Sequence, residues 1–156
     1  MYQTGIRRSF RAIHSLSAES VQGSRPHEHR YSVEMVLACA ELDEKGLVVD
    51  RDVMDECLTE LLRPLEGHLL NDEPFFDDCP PTAENIARFF CDELTKRLSG
   101  EDLDLKRLAS IEVRLWESES SWASFSREPG TIPEEAAPSP RRRAPSRREP
   151  AKKPRR

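Results

Sequence analysis

The chain has 156 residues and a formal net charge of −5, and 37% of its residues are hydrophobic, which predicts one small domain. No apolar run is long enough for a membrane-spanning helix and the start has no signal-peptide pattern, so we expect a cytoplasmic protein. The four cysteines show no Cys-x-x-Cys spacing and are expected to be reduced thiols, mostly in the core; they are Cys39, Cys57, Cys79 and Cys91.

Two strands at the start of the chain bring three histidines together. His14 closes the run of residues 6–13, and the pair in His27-Glu28-His29 is spaced by two, so both rings point to one face of an extended strand. Three imidazoles can hold a catalytic zinc with an open fourth position. The competing interpretation is a solvated or ordinarily hydrogen-bonded pair of histidines. Apolar residues continue the inward-facing row, namely Tyr31, Val33, Met35, Leu37 and Cys39.

Two helices follow in the predicted order. Asp50 or Asp52 can cap the first helix, which ends near residues 64–67. Thr82, which follows two prolines, can cap the second helix, and that helix runs towards Gly100. Apolar residues recur at helical spacing in both, which indicates core packing rather than a cofactor site. They are Val53, Met54, Cys57, Leu58, Leu61, Leu62 and Leu65 in the first helix, and Ile86, Ala87, Phe89, Phe90 and Leu94 in the second.

The last two predicted strands place an acid beside the core. Apolar residues alternate with other residues through 109–116, which is typical of a half-buried strand, and residues 121–125 form a short final strand. On this period Glu117 falls on the apolar side, a costly position for a carboxylate without a dedicated partner. This position supports a ligand-binding role for Glu117.

The C-terminal stretch differs in charge from the rest of the chain. Residues 127–156 hold ten of the 24 basic and four of the 29 acidic residues, a net charge of +6, which leaves 14 basic and 25 acidic residues, or −11, in residues 1–126. This Pro/Arg-rich tail is predicted to be disordered, and its arginines could bind nucleic acid weakly. A solubilising or self-docking extension against the acidic domain is the alternative. The domain is therefore predicted to span 1–126 and the tail 127–156.

Six short motifs together resemble one family, the 6-pyruvoyl-tetrahydropterin and 6-carboxytetrahydropterin synthases. The likeness spans roughly residues 6–125, and the motifs occur in the order that the family has. They are Phe10-x-Ala12-x-His14, His27-x-His29-x-Tyr31, Gly46-Leu47-Val48-Val49-Asp50, Leu65-Glu66-Gly67-His68-Leu69-Leu70-Asn71-Asp72, Pro81-Thr82-Ala83-Glu84-Asn85-Ile86-Ala87 and Trp116-Glu117.

The resemblance implies an α+β tunnelling fold, or T-fold, with a four-stranded antiparallel sheet and two helices on one face. It also implies an oligomeric barrel, expected to be a homohexamer of two trimeric rings, with the ligand pocket between subunits. By position, His14, His27 and His29 would bind Zn²⁺, and Glu117 would anchor a pterin ring. Thr82 is also predicted to bind the substrate.

The chain departs from the family at its acid-base residues. The family's cysteine falls at Gly23, and its Asp-His pair falls at Glu66 and Gly67, so the cysteine and the histidine are lost. Glycine can neither donate nor accept a proton. We name Glu66 and His68 as the catalytic candidates. Other substitutes are Glu19, Glu28 and Cys79, although solvated carboxylates and an ordinary thiol are the simpler interpretations.

Two hypotheses follow from these residues. In the first, the protein is a zinc-dependent lyase that acts on 7,8-dihydroneopterin triphosphate, in pterin or queuosine biosynthesis, with relocated acid-base groups. In the second, it is a non-catalytic relative that binds zinc and a pterin but has lost the chemistry.

Overall fold

Four antiparallel strands form a single sheet in which chain neighbours are also spatial neighbours. The computed structural model describes residues 1–16, 25–101 and 103–129. The pairing confirms the predicted antiparallel sheet, and the first strand begins four residues before the run of residues 6–13 that predicts it. The strands are β1 (Tyr2–His14), β2 (His27–Cys39), β3 (Leu108–Trp116) and β4 (Trp122–Arg127).

Two capped helices lie between β2 and β3. They are α1 (Arg51–Leu62) and α2 (Ala83–Gly100). Asp50, rather than Asp52, caps α1, because its carboxylate accepts a hydrogen bond from the Asp52 amide at 3.0 Å. The α-helical geometry of α1 ends at Leu62 and is followed by a short 3-10 turn that contains Pro64.

The core lies between the two helices and one face of the sheet. α1 packs on β1, and α2 packs on β3 and β4, so the helices cover one face, as predicted. Phe10 on β1 stacks on Tyr31 of β2 and meets Phe90 of α2 edge-on, which joins the two layers. Three cysteines, Cys39, Cys57 and Cys91, are buried here, and all four thiols are free.

A loop pairs with the end of β1 that carries His14. The amide of Gly67 donates to the carbonyl of Arg11 at 2.7 Å, and the amide of Ile13 donates to the carbonyl of His68 at 2.8 Å. The Asn71 side chain then bonds both the amide and the carbonyl of Ser15, at 2.8 and 2.9 Å. These bonds hold the backbone on both sides of His14.

The opposite face of the sheet carries charged and aromatic side chains. Arg114 contacts Glu34 and Glu112, and Arg7 pairs with Glu34 while its guanidinium lies 4.0 Å from the ring centre of Trp116. Partly exposed ion pairs of this kind contribute little to stability. Among the described residues, neither helix combines the length and the apolarity needed to cross a lipid bilayer.

The last strand ends one residue beyond the predicted domain boundary. Arg127, which closes β4, pairs with Asp92 of α2, and the two side chains are only 9% and 12% exposed. Arg127 therefore belongs to the packed domain. The rest of the predicted basic tail from residue 130 onwards lies outside the described residues.

Candidate metal and ligand site

Three histidines meet at the end of β1 and the start of β2. In the strand register His14 lies opposite His27, and Ala12 lies opposite His29, so all three side chains point to the helix-covered face. One nitrogen from each ring lies within 4.8 Å of the others. His14 is buried, whereas His27 and His29 are half-buried. The group can hold a metal ion, as the spacing predicts.

Backbone carbonyls orient two of these rings. Nδ1 of His14 donates to the carbonyl of Pro81 at 2.8 Å, and Nδ1 of His27 donates to the carbonyl of Arg25 at 2.9 Å. A carbonyl can only accept, so each Nδ1 carries a proton, and in the neutral form of each ring Nε2 is then a lone pair. Metal-binding histidines commonly have such a bond on the second ring nitrogen.

The two Nε2 atoms of His14 and His27 face each other at 3.0 Å. When both rings are protonated on Nδ1, this places two lone pairs in contact, which repel unless a cation lies between them. Two zinc ligands at about 2.05 Å with a tetrahedral angle would be about 3.3 Å apart. The observed separation and donor set therefore fit a divalent ion bound by imidazoles.

Glu117 lies next to this cluster on the same face. Ser32 pairs with Trp116, so Tyr31 and Glu117, one residue further on each strand, come side by side. Burial, followed by the charge of His14, lowers the pKa of His29, while the Glu117 carboxylate opposes that shift. Glu117 is half-buried, and its amide donates to the carbonyl of Ser121 at 3.1 Å. The carboxylate is therefore held within electrostatic reach of the histidines.

Tyr31, for which the strand period predicts only a place in the apolar row, lies beside the histidine cluster. Its ring centre lies 5.4 Å from that of His29 and 6.1 Å from that of His14. Burial, and then the charge of Glu117, raise the pKa of its hydroxyl. The position of Tyr31 two residues after His29 was the signal available in the sequence.

Glu66 and His68, the catalytic candidates, do not join the histidine cluster within one chain. Glu66 accepts from the amide and from Nε of Arg11, at 2.8 and 3.0 Å, and the amide bond is the main reason that its pKa is lowered. A carboxylate with a lowered pKa is a weaker base. His68 is exposed, and its backbone bonds to Ile13. The catalytic role of both stays a prediction.

The backbone conformation explains why a glycine, Gly67, occupies the position where the family has a histidine. Gly67 has a φ of +74°, and a Cβ added there would have no neighbour within 4 Å. The space is open, but the left-handed conformation costs a residue with a side chain about 1–2 kcal/mol. Glycine is therefore favoured here by the backbone path that pairs with β1.

The remaining substitutes give little support for acid-base chemistry. Burial raises the pKa of Cys79, and its thiol contacts the carbonyl of Phe75 at 3.4 Å, so the lowered pKa that a reactive thiol needs is absent at this residue. Glu28 is exposed between the two histidines. Gly23 and Glu19 lie outside the described residues.

Thr82 sits beside the histidines through its neighbour Pro81. The threonine hydroxyl oxygen accepts from the amide of Asn85 at 3.4 Å, which makes Thr82 the cap of α2. Pro81, the preceding residue, holds the ring of His14. The start of α2 thus lies against the site, and a contact between Thr82 and a ligand stays a prediction.

The chain has the architecture of T-fold proteins, which is a four-stranded antiparallel sheet with two helices on one face. A candidate metal site of three histidines lies at the end of this sheet. The sequence profile of the 6-pyruvoyl tetrahydropterin synthase family matches residues 4–128. The chain therefore belongs to the 6-pyruvoyl tetrahydropterin synthase family.

Two curated relatives and two solved structures are similar to the chain. A 6-carboxy-5,6,7,8-tetrahydropterin synthase of Aquifex aeolicus is 27% identical, covering 65% of this chain and 74% of the relative. A dihydroneopterin monophosphate aldolase of Pyrococcus furiosus is 32% identical, covering 74% and 94%.

The solved structures support the fold. The 6-pyruvoyl tetrahydropterin synthase of Caenorhabditis elegans has a TM-score of 0.66 and 21% identity, over 81% of this chain and 95% of the other. A Plasmodium vivax 6-pyruvoyltetrahydropterin synthase, in which a catalytic glutamate is replaced by alanine, has a TM-score of 0.66 and 18% identity, over 81% and 98%.

Proposed function

We propose that the protein is a zinc-dependent enzyme that acts on a reduced pterin, with 7,8-dihydroneopterin triphosphate as substrate. The single observation that carries this proposal is the convergence of His14, His27 and His29 beside Glu117. The names of the Aquifex and Pyrococcus relatives both designate pterin enzymes, which supports a pterin ligand. A place in pterin or queuosine biosynthesis is part of the proposal.

The residues divide the binding of such a substrate into two parts. Glu117 can accept two parallel hydrogen bonds from the guanidine-like edge of a pterin ring, as carboxylates do with arginine. His14, His27 and His29 would hold the zinc, which supplies Lewis-acid polarisation of a substrate oxygen when bound. The Pro81 and Arg25 carbonyls keep the Nε2 atoms of His14 and His27 directed at that position.

Acid-base chemistry requires a group that one chain does not bring to the histidines. We propose that a pocket between subunits places Glu66 or His68 of one subunit near the histidines of another. The edge position of Glu66, where it bonds the β1 amide of Arg11, is consistent with a subunit boundary. A catalytic glutamate in the Plasmodium vivax synthase supports a carboxylate in such a role.

Metal analysis of purified protein tests the zinc site. We expect about one zinc per chain in the wild type and a loss of most of it in His29→Ala, because one of three protein ligands is removed. His68→Ala is the matched control for metal content, since His68 is exposed and outside the cluster. Equal zinc in wild type and His29→Ala would contradict the assignment.

Incubation of the zinc-loaded protein with 7,8-dihydroneopterin triphosphate tests the reaction. We expect mass spectrometry to detect triphosphate elimination or side-chain cleavage by the wild type. The product should be absent with His29→Ala and strongly reduced with Glu66→Gln. Turnover that is unaffected by Glu66→Gln would remove Glu66 from the mechanism.

A binding protein without turnover is the second candidate function. Gly67, with its left-handed backbone, and the tethered carboxylate of Glu66 are the observations that favour it. Tight pterin binding by the zinc-loaded protein, with no product after prolonged incubation, would select this function over the first.

A further inference from the structure

Tyr31 has a buried hydroxyl that forms no hydrogen bond with any of the described residues. The residue is fully buried, with 0% of its surface exposed. A buried polar group without a partner is costly, and the few that occur in native proteins call for an explanation. Phenylalanine would fill the same space without that cost, so packing alone does not account for tyrosine here.

The position of Tyr31 indicates what its hydroxyl is for. Along the inner face of β2 the side chains follow in the order His27, His29, Tyr31, and Glu117, the residue after the end of β3, lies beside Tyr31. Tyr31 thus borders both groups of the proposed site, since it is two residues from His29 and directly across from Glu117. A ligand held by a metal at the histidines and by Glu117 would therefore lie next to Tyr31.

We propose that Tyr31 is a ligand-binding residue whose hydroxyl donates a hydrogen bond to an acceptor atom of the bound pterin. This inference rests on the proposed pterin function and adds a third contact to the metal and Glu117. A neutral tyrosine hydroxyl is a donor, and the ring nitrogens and side-chain oxygens of a pterin are acceptors. The stacking of Phe10 on Tyr31 fixes the direction of the phenol ring.

The test compares Tyr31→Phe with Tyr2→Phe in the zinc-loaded protein. Tyr2, the only other tyrosine, is 53% exposed at the far end of β1, so its variant removes a hydroxyl outside the site. We expect Tyr31→Phe to keep its zinc and to unfold at the same or a higher temperature. Its affinity for neopterin in a calorimetric titration should fall about tenfold, as for one lost hydrogen bond. Tyr2→Phe should match the wild type in all three measurements.

Each outcome separates this proposal from the proposed function. If the wild type binds neopterin and Tyr31→Phe binds it with the same affinity, the role of Tyr31 is overturned and the pterin function stands. A wild type that binds no neopterin would overturn both.

A second measurement does not depend on the variant. In wild-type protein with ¹³Cζ-labelled tyrosine, neopterin should shift the resonance of Tyr31 and leave that of Tyr2 in place. An unmoved Tyr31 resonance at saturating neopterin would overturn the proposal even if Tyr31→Phe failed to fold.

Discussion

At the scale of single residues, the site depends on groups that hold other groups in place. His14 is directed by the carbonyl of Pro81, and the backbone after it is held by Asn71. Because Pro81 precedes α2 and Asn71 lies in the short 3-10 turn Leu70–Asp72, two segments distant from β1 in the chain fix one imidazole. Residues far apart in the chain therefore contribute to the proposed metal affinity.

Glu117→Gln tests the pterin anchor. The amide keeps the size of the side chain but replaces one acceptor oxygen with a donor and removes the charge, so we expect pterin affinity to fall between about tenfold and a hundredfold. Zinc content should not change. Glu119→Gln, an exposed neighbour, is the matched control. A calorimetric titration that finds equal affinities for both variants would rule out the anchor.

Glu66→Gln tests the bond to Arg11 through its pH dependence. The folded pKa of Glu66 is lowered, so its stabilising effect is present above the unfolded carboxyl pKa of about 4.3 and is lost as the pH falls through the folded value. We expect the melting temperature of the wild type to exceed that of the variant near pH 7 and the difference to shrink in acid. An Arg11→Ala background should reduce this pH dependence without abolishing it, because the backbone amide of residue 11 still donates to Glu66. A difference that stays constant from pH 7 to pH 3 would contradict the account.

At the scale of the elements, the first three strands and the loop after α1 position the parts of the site. β1 and β2 bring the histidines together by their register, and β3 carries Glu117 past its last paired residue. The loop of residues 66–69 lies along β1 and fills part of an otherwise open sheet edge. Edges that remain open favour pairing with another chain.

Thr82 caps α2 and lies next to Pro81, which bonds the ring of His14. Thr82→Ala removes the cap of α2 and should lower the free energy of unfolding by about 1 kcal/mol. Thr82→Ser keeps a hydroxyl and should restore most of that stability and any pterin contact. Denaturant unfolding and pterin titration of both variants separate the cap from the ligand role. Wild-type pterin affinity in Thr82→Ala would show that the threonine serves only as a cap.

At the scale of the whole molecule, we propose that the sheet closes into a barrel with other copies of the chain. β1 and β4 are the two outer strands, and antiparallel pairing between copies would satisfy their outward-facing backbone groups. Light scattering after size-exclusion chromatography should give about six times the chain mass of 17.9 kDa. A monomer at micromolar concentration would contradict both the hexamer and the pocket between subunits.

The basic tail should be separable from the domain only beyond Pro129. Arg127 forms a nearly buried ion pair with Asp92, so Arg127→Ala should lower the free energy of unfolding by about 3 kcal/mol.

Deletion of residues 130–156 should leave the melting temperature unchanged, because it spares β4. The same deletion tests the weak nucleic-acid contact: RNA binding that persists in the shortened chain would assign that contact elsewhere.

Patterns of short range were sufficient to predict the helices and strands and the convergence of the three histidines. The period of two placed His27, His29 and Glu117 on inward faces, and helical spacing with N-cap residues located α1 and α2. Motif order predicted the family. These features are local because strand and helix periods are properties of neighbouring residues.

Other features depend on contacts between distant segments, which local patterns do not contain. The pairing of Gly67 with β1, the bond from Arg11 to Glu66 and the carbonyl of Pro81 on His14 join residues more than fifty positions apart. The hydroxyl of Tyr31, which finds no hydrogen-bond partner in the described part of the chain, is of the same kind, because the lack of a partner depends on everything packed around it. Tertiary packing decides which polar groups find partners. Among the residues that the structure describes, it gives Glu66 two bonds from Arg11 and leaves the Tyr31 hydroxyl without one.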